Sequence, residues 1–299
     1  MSKKILVLYY TQSGQLQDIT DNFAAPLIEA GHSVEKLQIR PVNDFPFPWT
    51  TSVFFEAMPE SVLGIPAELE AFRLKETKYD LVIFAYQPWF LSPSIPANSI
   101  LQHPAIRAVL NDAPVITLIG ARNMWLNAQE KTKKFLKDAG AKLVGNVALV
   151  DKNNNHVSVV TIFYWMLTGK KDRKWGIFPR PGVADEDISR IKIYGEIAGR
   201  YLAKGYFEGM QQELVTAKAV EIKYSLMYIE SKAGFMFSIW AKKILGSKKR
   251  KVLLVAFKYY LLIALFVAAP IILLIHSILV RPFLISRTKK KFEYFSGVN

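Results

Sequence analysis

Tyr9-Tyr10-Thr11-Gln12-Ser13-Gly14-Gln15-Leu16 joins a short apolar run, Ile5–Tyr10, to a segment with helical spacing. A strand that enters a helix through such a turn leaves the first N–H groups of the helix without intrahelical partners at the positive end of its dipole, and Thr11 and Ser13 add hydroxyl donors. That is chemistry suited to a phosphate, although an ordinary β–α connection shares these features. Two further stretches carry related groups. Gln87-Pro88-Trp89-Phe90-Leu91-Ser92-Pro93-Ser94-Ile95-Pro96-Ala97 sets a Trp-Phe pair among stiffening prolines, where it can wall a planar ring or simply cover the edge of a core. Gly120-Ala121-Arg122-Asn123-Met124-Trp125 offers a glycine for close backbone approach, an arginine able to face an anionic ring or phosphate, and another aromatic. Arg122 and His156 are the candidates for charge stabilisation or proton transfer, with a cap or turn role the alternative for the histidine in its Asn-rich loop. Ser13 has no paired His and acid and does not read as a nucleophile. Asp185-Glu186-Asp187 lacks the histidine spacing of a metal site and marks the acidic start of a helix over Ile188–Lys204, so no metal is expected.

The elements that must position these loops follow from periodicity. Apolar runs alternate with helix-patterned segments: Lys4–Tyr10 then Leu16–Ala30, His32–Ile39, Leu81–Tyr86, Pro114–Ile119 then Leu126–Ala139, and Leu143–Val150. This alternation predicts an α/β fold with a doubly wound, five-stranded parallel sheet. Ligands in that architecture sit beyond the carboxyl ends of the strands, between the first and third. The three loops therefore converge, and their combined composition points to a flavin. A further apolar helix is expected over Val157–Leu167, followed by a basic, proline-bearing loop, Gly169–Asp187, with Trp175, Phe178 and Arg180.

The 299 residues, 51% of them hydrophobic and 13% aromatic, can fill a sizeable core. Cysteine is absent, which removes disulfides, thiolate metal sites and a cysteine nucleophile, so redox chemistry needs a bound cofactor. The net charge of +14 is uneven: residues 206–299 hold fifteen Lys or Arg against five Asp or Glu, a net +10, which leaves +4 for the first 205. The surplus sits beside an apolar stretch and in no nucleic-acid-binding motif, so an anionic membrane surface is the expected partner and nucleic acid is not. The apolar run behind Met1-Ser2-Lys3-Lys4 is too short for a secretory signal, and the N-terminal domain is expected to face the cytoplasm.

Thr11-Gln12-Ser13-Gly14-Gln15 resembles the phosphate loop of flavodoxins, and Pro88-Trp89-Phe90 with Pro96-Ala97 resembles the flavin-contacting loop of flavodoxin-like quinone reductases. The resemblance covers about residues 3–205 and implies a flavodoxin-like sheet of order 2-1-3-4-5 binding FMN. Carried onto this chain it assigns cofactor contacts to Thr11, Gln12, Ser13, Gly14, Gln15, Leu16, Pro88, Trp89, Phe90, Leu91, Gly120, Ala121, Arg122 and Trp125. Leu16 stands where the family has a hydroxyl, so one phosphate donor must come from elsewhere. The whole chain is similar to the bacterial proteins labelled dialkylresorcinol condensing enzymes, which accompany a ketosynthase in making aryl-polyene and flexirubin-type pigments. A condensing role conflicts with the missing cysteine. The resemblance therefore implies the aromatase step, in which a dialkylcyclohexanedione is dehydrogenated to a dialkylresorcinol. A tethered electron carrier or quinone reductase, with a quinone-like partner, is the alternative.

The tail is divided into an amphipathic basic segment (206–251), a hydrophobic membrane segment (252–285) and a basic end (286–299). Tyr259–Val280 has no Lys, Arg, Asp or Glu and is long enough to cross a hydrocarbon core of about 30 Å. It is flanked by Lys248-Lys249-Arg250-Lys251 and by Arg281, Arg287 and Lys289-Lys290-Lys291, and both flanks favour the cytoplasm. Pro270 can kink a spanning helix or turn a re-entrant one. Upstream, Leu226, Ile229, Ala233, Met236, Phe237, Trp240 and Ile244 form an apolar stripe expected to lie in the membrane interface.

Overall fold

The computed structural model describes residues 2–279 and 285–298; Met1, Asn299 and residues 280–284, which include the Val280 end of the predicted apolar run and Arg281, lie outside them. Five strands, β1 (Lys4–Tyr9), β2 (Ser33–Gln38), β3 (Leu81–Tyr86), β4 (Pro114–Ala121) and β5 (Lys142–Val150), form one parallel sheet in the order β2-β1-β3-β4-β5. This is the doubly wound order of the flavodoxin-like fold. The helices are α1 (Gln15–Glu29), α2 (Thr51–Glu56), α3 (Met58–Leu63), α4 (Ile95–Gln102), α5 (Pro104–Leu110), α6 (Leu126–Asp138), α7 (Asn155–Thr168), α8 (Asp185–Arg190), α9 (Lys192–Lys204), α10 (Met210–Thr216), α11 (Tyr224–Leu245), α12 (Arg250–Ile263), α13 (Ala269–Leu279) and α14 (Ile285–Ser296).

β3 and nearly all of β1 and β4 are buried on both faces, which is why they read as unbroken apolar runs. β2 lies at the edge and keeps Glu35 and Lys36, charges that a central strand could not hold. Successive residues serve opposite layers. Ile5, Val7, Ile83 and Leu118 pack with α1, α9 and α10, while Leu6, Leu8, Phe84 and Val115 pack with α4, α5 and α6. α1 and α9 approach so closely that a Cβ on Gly195 would clash with the Phe23 carbonyl oxygen.

Two boundaries differ from the sequence-based expectation. The acidic run opens a helix as its charge predicts, but the segment to Lys204 is two helices, α8 and α9, meeting at Ile191. The α/β unit also extends past residue 205, because α10 covers β5 through Met210 and Leu214.

The C-terminal helices form a layer on this unit. α11 packs on α3 and α6, burying Ile229, Phe237 and Ile244, so the stripe expected in the membrane interface instead has a protein partner. The chain reverses at Gly246–Lys249, not at Pro270. Proline lacks an N–H, and its ring crowds the carbonyl four residues back; the π-helical turn Ala264–Ala268 widens the backbone there and lets the helix continue. α14, expected as a basic tail, docks on the α/β unit: the Tyr294 hydroxyl donates to Glu130 at 2.7 Å, Gln211 Nε2 donates to the Ser296 carbonyl at 2.7 Å, and Phe292 and Phe295 pack on the core.

Candidate functional site

At the carboxyl end of β1, the turn Tyr10–Gly14 feeds α1, and Gly14 stands at the N-cap with φ +86°. A Cβ there would have nothing within 4 Å, so the space above the first turn is open, while the positive φ disfavours any side chain. The first α1 bond runs from the Asp18 N–H to the Gly14 carbonyl, which leaves the earlier N–H groups of the turn without a helical acceptor. The Thr11 hydroxyl is buried and has no hydrogen-bond partner among the described residues. Gln12 and Gln15 brace the loop instead of projecting freely. Gln12 accepts from Trp49 Nε1 at 2.8 Å and donates to the Pro46 carbonyl at 3.2 Å, and Gln15 exchanges two bonds of 3.1 Å with the Val183 backbone. Leu16 is core: it lies under Gly120, where an added Cβ would come within 3.1 Å of its side chain.

This turn borders a cavity of about 250 Å³, near the lower edge of the roughly 300–1,000 Å³ usual for small-molecule sites. Gln12, Ser13, Gln15, Leu16, Pro88, Trp89, Phe90, Gly120, Ala121 and Arg122 border it, so the loops after β1, β3 and β4 do converge. Thr11, Gly14, Leu91 and Trp125 are not among its bordering residues; Thr11 and Gly14 lie in the turn beside it. Trp125 is 2% exposed and belongs to the core beneath α6, as its position just before that helix dictates. Leu91 faces a separate hollow lined also by Asn127 and Lys131. The reason is the hairpin Pro88–Trp89/Ser92–Pro93, whose tip residues Phe90 and Leu91 have φ of 48° and 60°. Bulky residues in the left-handed region cost about 1–2 kcal/mol each. The turn is held from below, where the Ser61 hydroxyl donates to the Trp89 and Pro93 carbonyls and Lys131 Nζ donates to the Ser92 hydroxyl at 2.6 Å. Burial lowers the Lys131 ammonium pKa to about 8. Strain of this kind, maintained by its surroundings, is characteristic of working sites.

Trp89 stands in an aromatic group, 5.1 Å from Trp49, 4.9 Å from Phe45 and 6.0 Å from Tyr10 between ring centroids. Burial, reinforced by Asp44, holds the Tyr10 phenol protonated well above its usual range. Phe90 packs on Phe54 at 4.8 Å. The cavity is covered by residues outside the three expected loops: Phe47 and Trp49 from the segment after β2, Phe54 from α2, and Phe163 and Trp165 from α7. The alternation Phe45-Pro46-Phe47-Pro48-Trp49 was the signal available for the first group, since aromatics between prolines in a connection have no helix or strand to serve. For α7 no such signal existed, because its apolar residues read simply as core.

Among the described residues, Arg122 is the only Lys, Arg, Asp, Glu or His that borders the cavity. Its Nη1 donates to the Asn155 carbonyl at 3.1 Å and to Asn155 Oδ1 at 2.9 Å. Burial lowers its pKa to about 10, opposed by Asp151, so it stays cationic at neutral pH. His156 does not join it. The Asn154 side chain accepts from the His156 N–H as the α7 cap, and the exposed ring stacks on Phe266 at 6.0 Å. The histidine is thus a helix-terminal residue facing the C-terminal layer, which corrects its candidacy for proton transfer in the cavity. No group of three or more metal-ligating side chains occurs among the described residues.

No protein-family model matches the chain, and no curated protein matches it. Solved structures do. A flavoprotein from Lactobacillus acidophilus NCFM in complex with FMN is 15% identical over 48% of this chain and 92% of its own, with a TM-score of 0.40. Oxidised flavodoxin 1 from Bacillus cereus is 14% identical over 67% of this chain and 97% of its own, with a TM-score of 0.36. A flavone reductase is 12% identical over 67% of this chain and 63% of its own, with a TM-score of 0.34.

Proposed function

We propose that the crevice binds FMN and that the protein is a flavin-dependent oxidoreductase working at a membrane surface on an apolar cyclic diketone. The observation that carries this reading is the meeting, at one end of the sheet, of an open helix N-terminus and an aromatic-walled cavity containing a single cation. The donor set fits the group: N–H groups of the first α1 turn, the Ser13 hydroxyl and the partnerless Thr11 hydroxyl suit the phosphate, and Trp89, Trp49 and Phe90 suit a planar ring. Bound FMN would supply a two-electron acceptor.

The chain's own residues would select and hold the substrate. Among the described residues, the cavity border contains no carboxylate and no imidazole. A cyclic 1,3-diketone needs neither, because it is acidic enough to enter as its enolate in neutral water. Arg122 would balance that charge, held in orientation by Asn155. On the way to the resorcinol the ring would give up a hydride from C5 to the bound acceptor and a proton from the adjacent ring carbon to an enolate oxygen, and a second carbon-to-oxygen proton shift would complete the aromatic ring, whose stability favours the product. Phe47, Phe54, Phe163 and Trp165 would exclude water from the ring. Their cover also favours a small apolar substrate over a docked protein electron partner.

The full-length protein purified in detergent should be yellow and release FMN on denaturation. With FMN and a 2,5-dialkylcyclohexane-1,3-dione it should form the dialkylresorcinol and join no acyl thioesters. Gly14→Val places a branched side chain in the open space over α1 and should abolish flavin retention while the far-UV spectrum is preserved. A colourless protein that cannot be reconstituted would sink the proposal.

A further inference from the structure

The helix from Arg250 to His276 is continuous over 27 residues, about 40 Å at 1.5 Å per residue. Its two faces differ. Leu254, Phe257 and Leu261 are buried against the rest of the protein. On the outside, twelve exposed large hydrophobic side chains run from Val252 to Ile278, among them Val255, Tyr259, Ile263, Val267 and Leu274. An apolar strip of that length on a soluble surface marks an interaction site.

Both ends of the helix are tied to the same body. At its start, Arg250 donates to both carboxylate oxygens of Glu60, at 2.7 and 2.9 Å, and to the Glu56 carbonyl at 3.0 Å. Near its end, His276 Nε2 lies 2.7 Å from the Tyr224 hydroxyl, and its ring stacks on Tyr228 with 3.7 Å between centroids. Beyond it, α14 returns to Glu130 and Gln211. A helix that crossed a bilayer would carry one of these ends to the opposite surface and break its contacts.

The rim is basic. Lys242, Lys243, Lys248, Lys249 and Lys251 are exposed at one end, and Lys289, Lys290 and Lys291 at the other. We infer that this face lies in the plane of one leaflet of an anionic bilayer, its outer side chains among the acyl chains and its lysines on the headgroups, without spanning the membrane. The inference rests on the membrane association in the proposed function and is independent of the flavin. It also places the crevice. Phe257, on the inner side of the same helix, lies 6.2 Å from Phe55 and 6.3 Å from Phe90, and Phe90 borders the cavity. Phe257, Phe55 and Phe90 thus link the lipid-facing helix to the site, a short path for an alkylated substrate dissolved in the leaflet.

The chain has no cysteine, so single-cysteine variants at exposed positions report cleanly. With Lys251→Cys and Lys289→Cys made separately in the full-length chain, a membrane-impermeant maleimide applied to spheroplasts should label both only after lysis. Labelling of one from outside and the other from inside would establish a span and overturn the in-plane arrangement, leaving membrane association intact. Added to vesicles of phosphatidylcholine and phosphatidylglycerol, the protein should co-sediment, and a fluorophore on Ile263→Cys should be quenched more by shallow than by deep lipid-borne quenchers. Stronger quenching by the deep quenchers would again overturn the in-plane arrangement. The exposed double variant Ile263→Glu/Leu274→Glu should keep its fold and lose vesicle partition on the order of a hundredfold. Protein that stays in the supernatant with both anionic and neutral vesicles would overturn membrane association itself, whereas a yellow or colourless preparation bears only on the flavin.

Discussion

The crevice at the end of the sheet and the C-terminal helical layer are both built largely from aromatic and aliphatic side chains, yet they suit opposite partners. In the crevice, apolar walls close around a few convergent polar groups: the helix N-terminus, the Ser13 hydroxyl and Arg122. In the layer, the polar groups sit at the two ends, Arg250 with Glu60 and His276 with Tyr224, and the outer face between them exposes large apolar side chains. Enclosure with a few donors selects one small molecule; a one-sided strip with basic ends selects a surface. Composition is nearly the same in the two places, and the arrangement of polar atoms makes the difference.

The sharpest way to break the comparison is to cut the seam joining the regions. Phe257 is fully buried among Phe55, Phe90, Phe237 and Trp240. Phe257→Ala should cost about 3–5 kcal/mol in the helical layer. Limited proteolysis should then cut within residues 246–263 while the α/β unit resists; equal loss in both would mean that the two regions unfold as one.

A slightly smaller effect is expected from Glu230, 1% exposed on α11, whose carboxylate accepts the Asn127 N–H at 2.7 Å at the start of α6. Burial raises its pKa from 4.5 to about 7 against the opposing pull of the α6 N–H groups. The folded state therefore binds more protons than the unfolded one between those values. Its stability should be greatest below about pH 4.5, fall as pH rises to about 7 and level off above, by about 3 kcal/mol in all. Denaturation measured across that window should show the slope, and Glu230→Gln should remove this residue's share of it.

Within the crevice, Trp89→Ala should weaken FMN binding by about 1–3 kcal/mol, on the scale of base–aromatic stacking, as read by flavin titration. Unchanged affinity would return Trp89 to covering the core. The smallest effect is expected at the exposed pair Lys134–Asp138, 2.9 Å apart on the outer face of α6. Lys134→Ala should change the melting stability by less than about 0.5 kcal/mol and leave flavin and vesicle binding untouched.

Much of the fold was legible because burial on both faces of a parallel sheet writes itself into the chain as unbroken apolar runs, and β1, β3 and β4 are such runs. The order β2-β1-β3-β4-β5 and the meeting of the three loops follow from that alternation and from the right-handed crossovers it imposes. Thr11–Leu16, Pro88–Phe90 and Gly120–Arg122 could be named for the same reason: they directly follow strands, and strand ends converge by topology. The cover of the cavity was only partly legible: the aromatic–proline alternation of residues 45–49 marked Phe47 and Trp49 without saying where they dock, and nothing in the periodicity of α2 or α7 pointed Phe54, Phe163 and Trp165 at the cavity.

The sequence by itself determined that the tail would be helical, basic and apolar over a run long enough to cross a membrane, because length and charge are local properties. Only the tertiary structure decided which helical face meets what. The stripe on α11 turned inward because α3 and α6 present matching apolar surface, and α12–α13 kept their outer side chains exposed because α11 covers only one side. His156 and Leu91 likewise left the site for positions set by neighbours distant in sequence, Phe266 for the one and the strained hairpin over Ser61 for the other. Hydrophobicity fixes that a surface must be covered, and the choice of cover is made by contacts between segments that the linear chain keeps far apart.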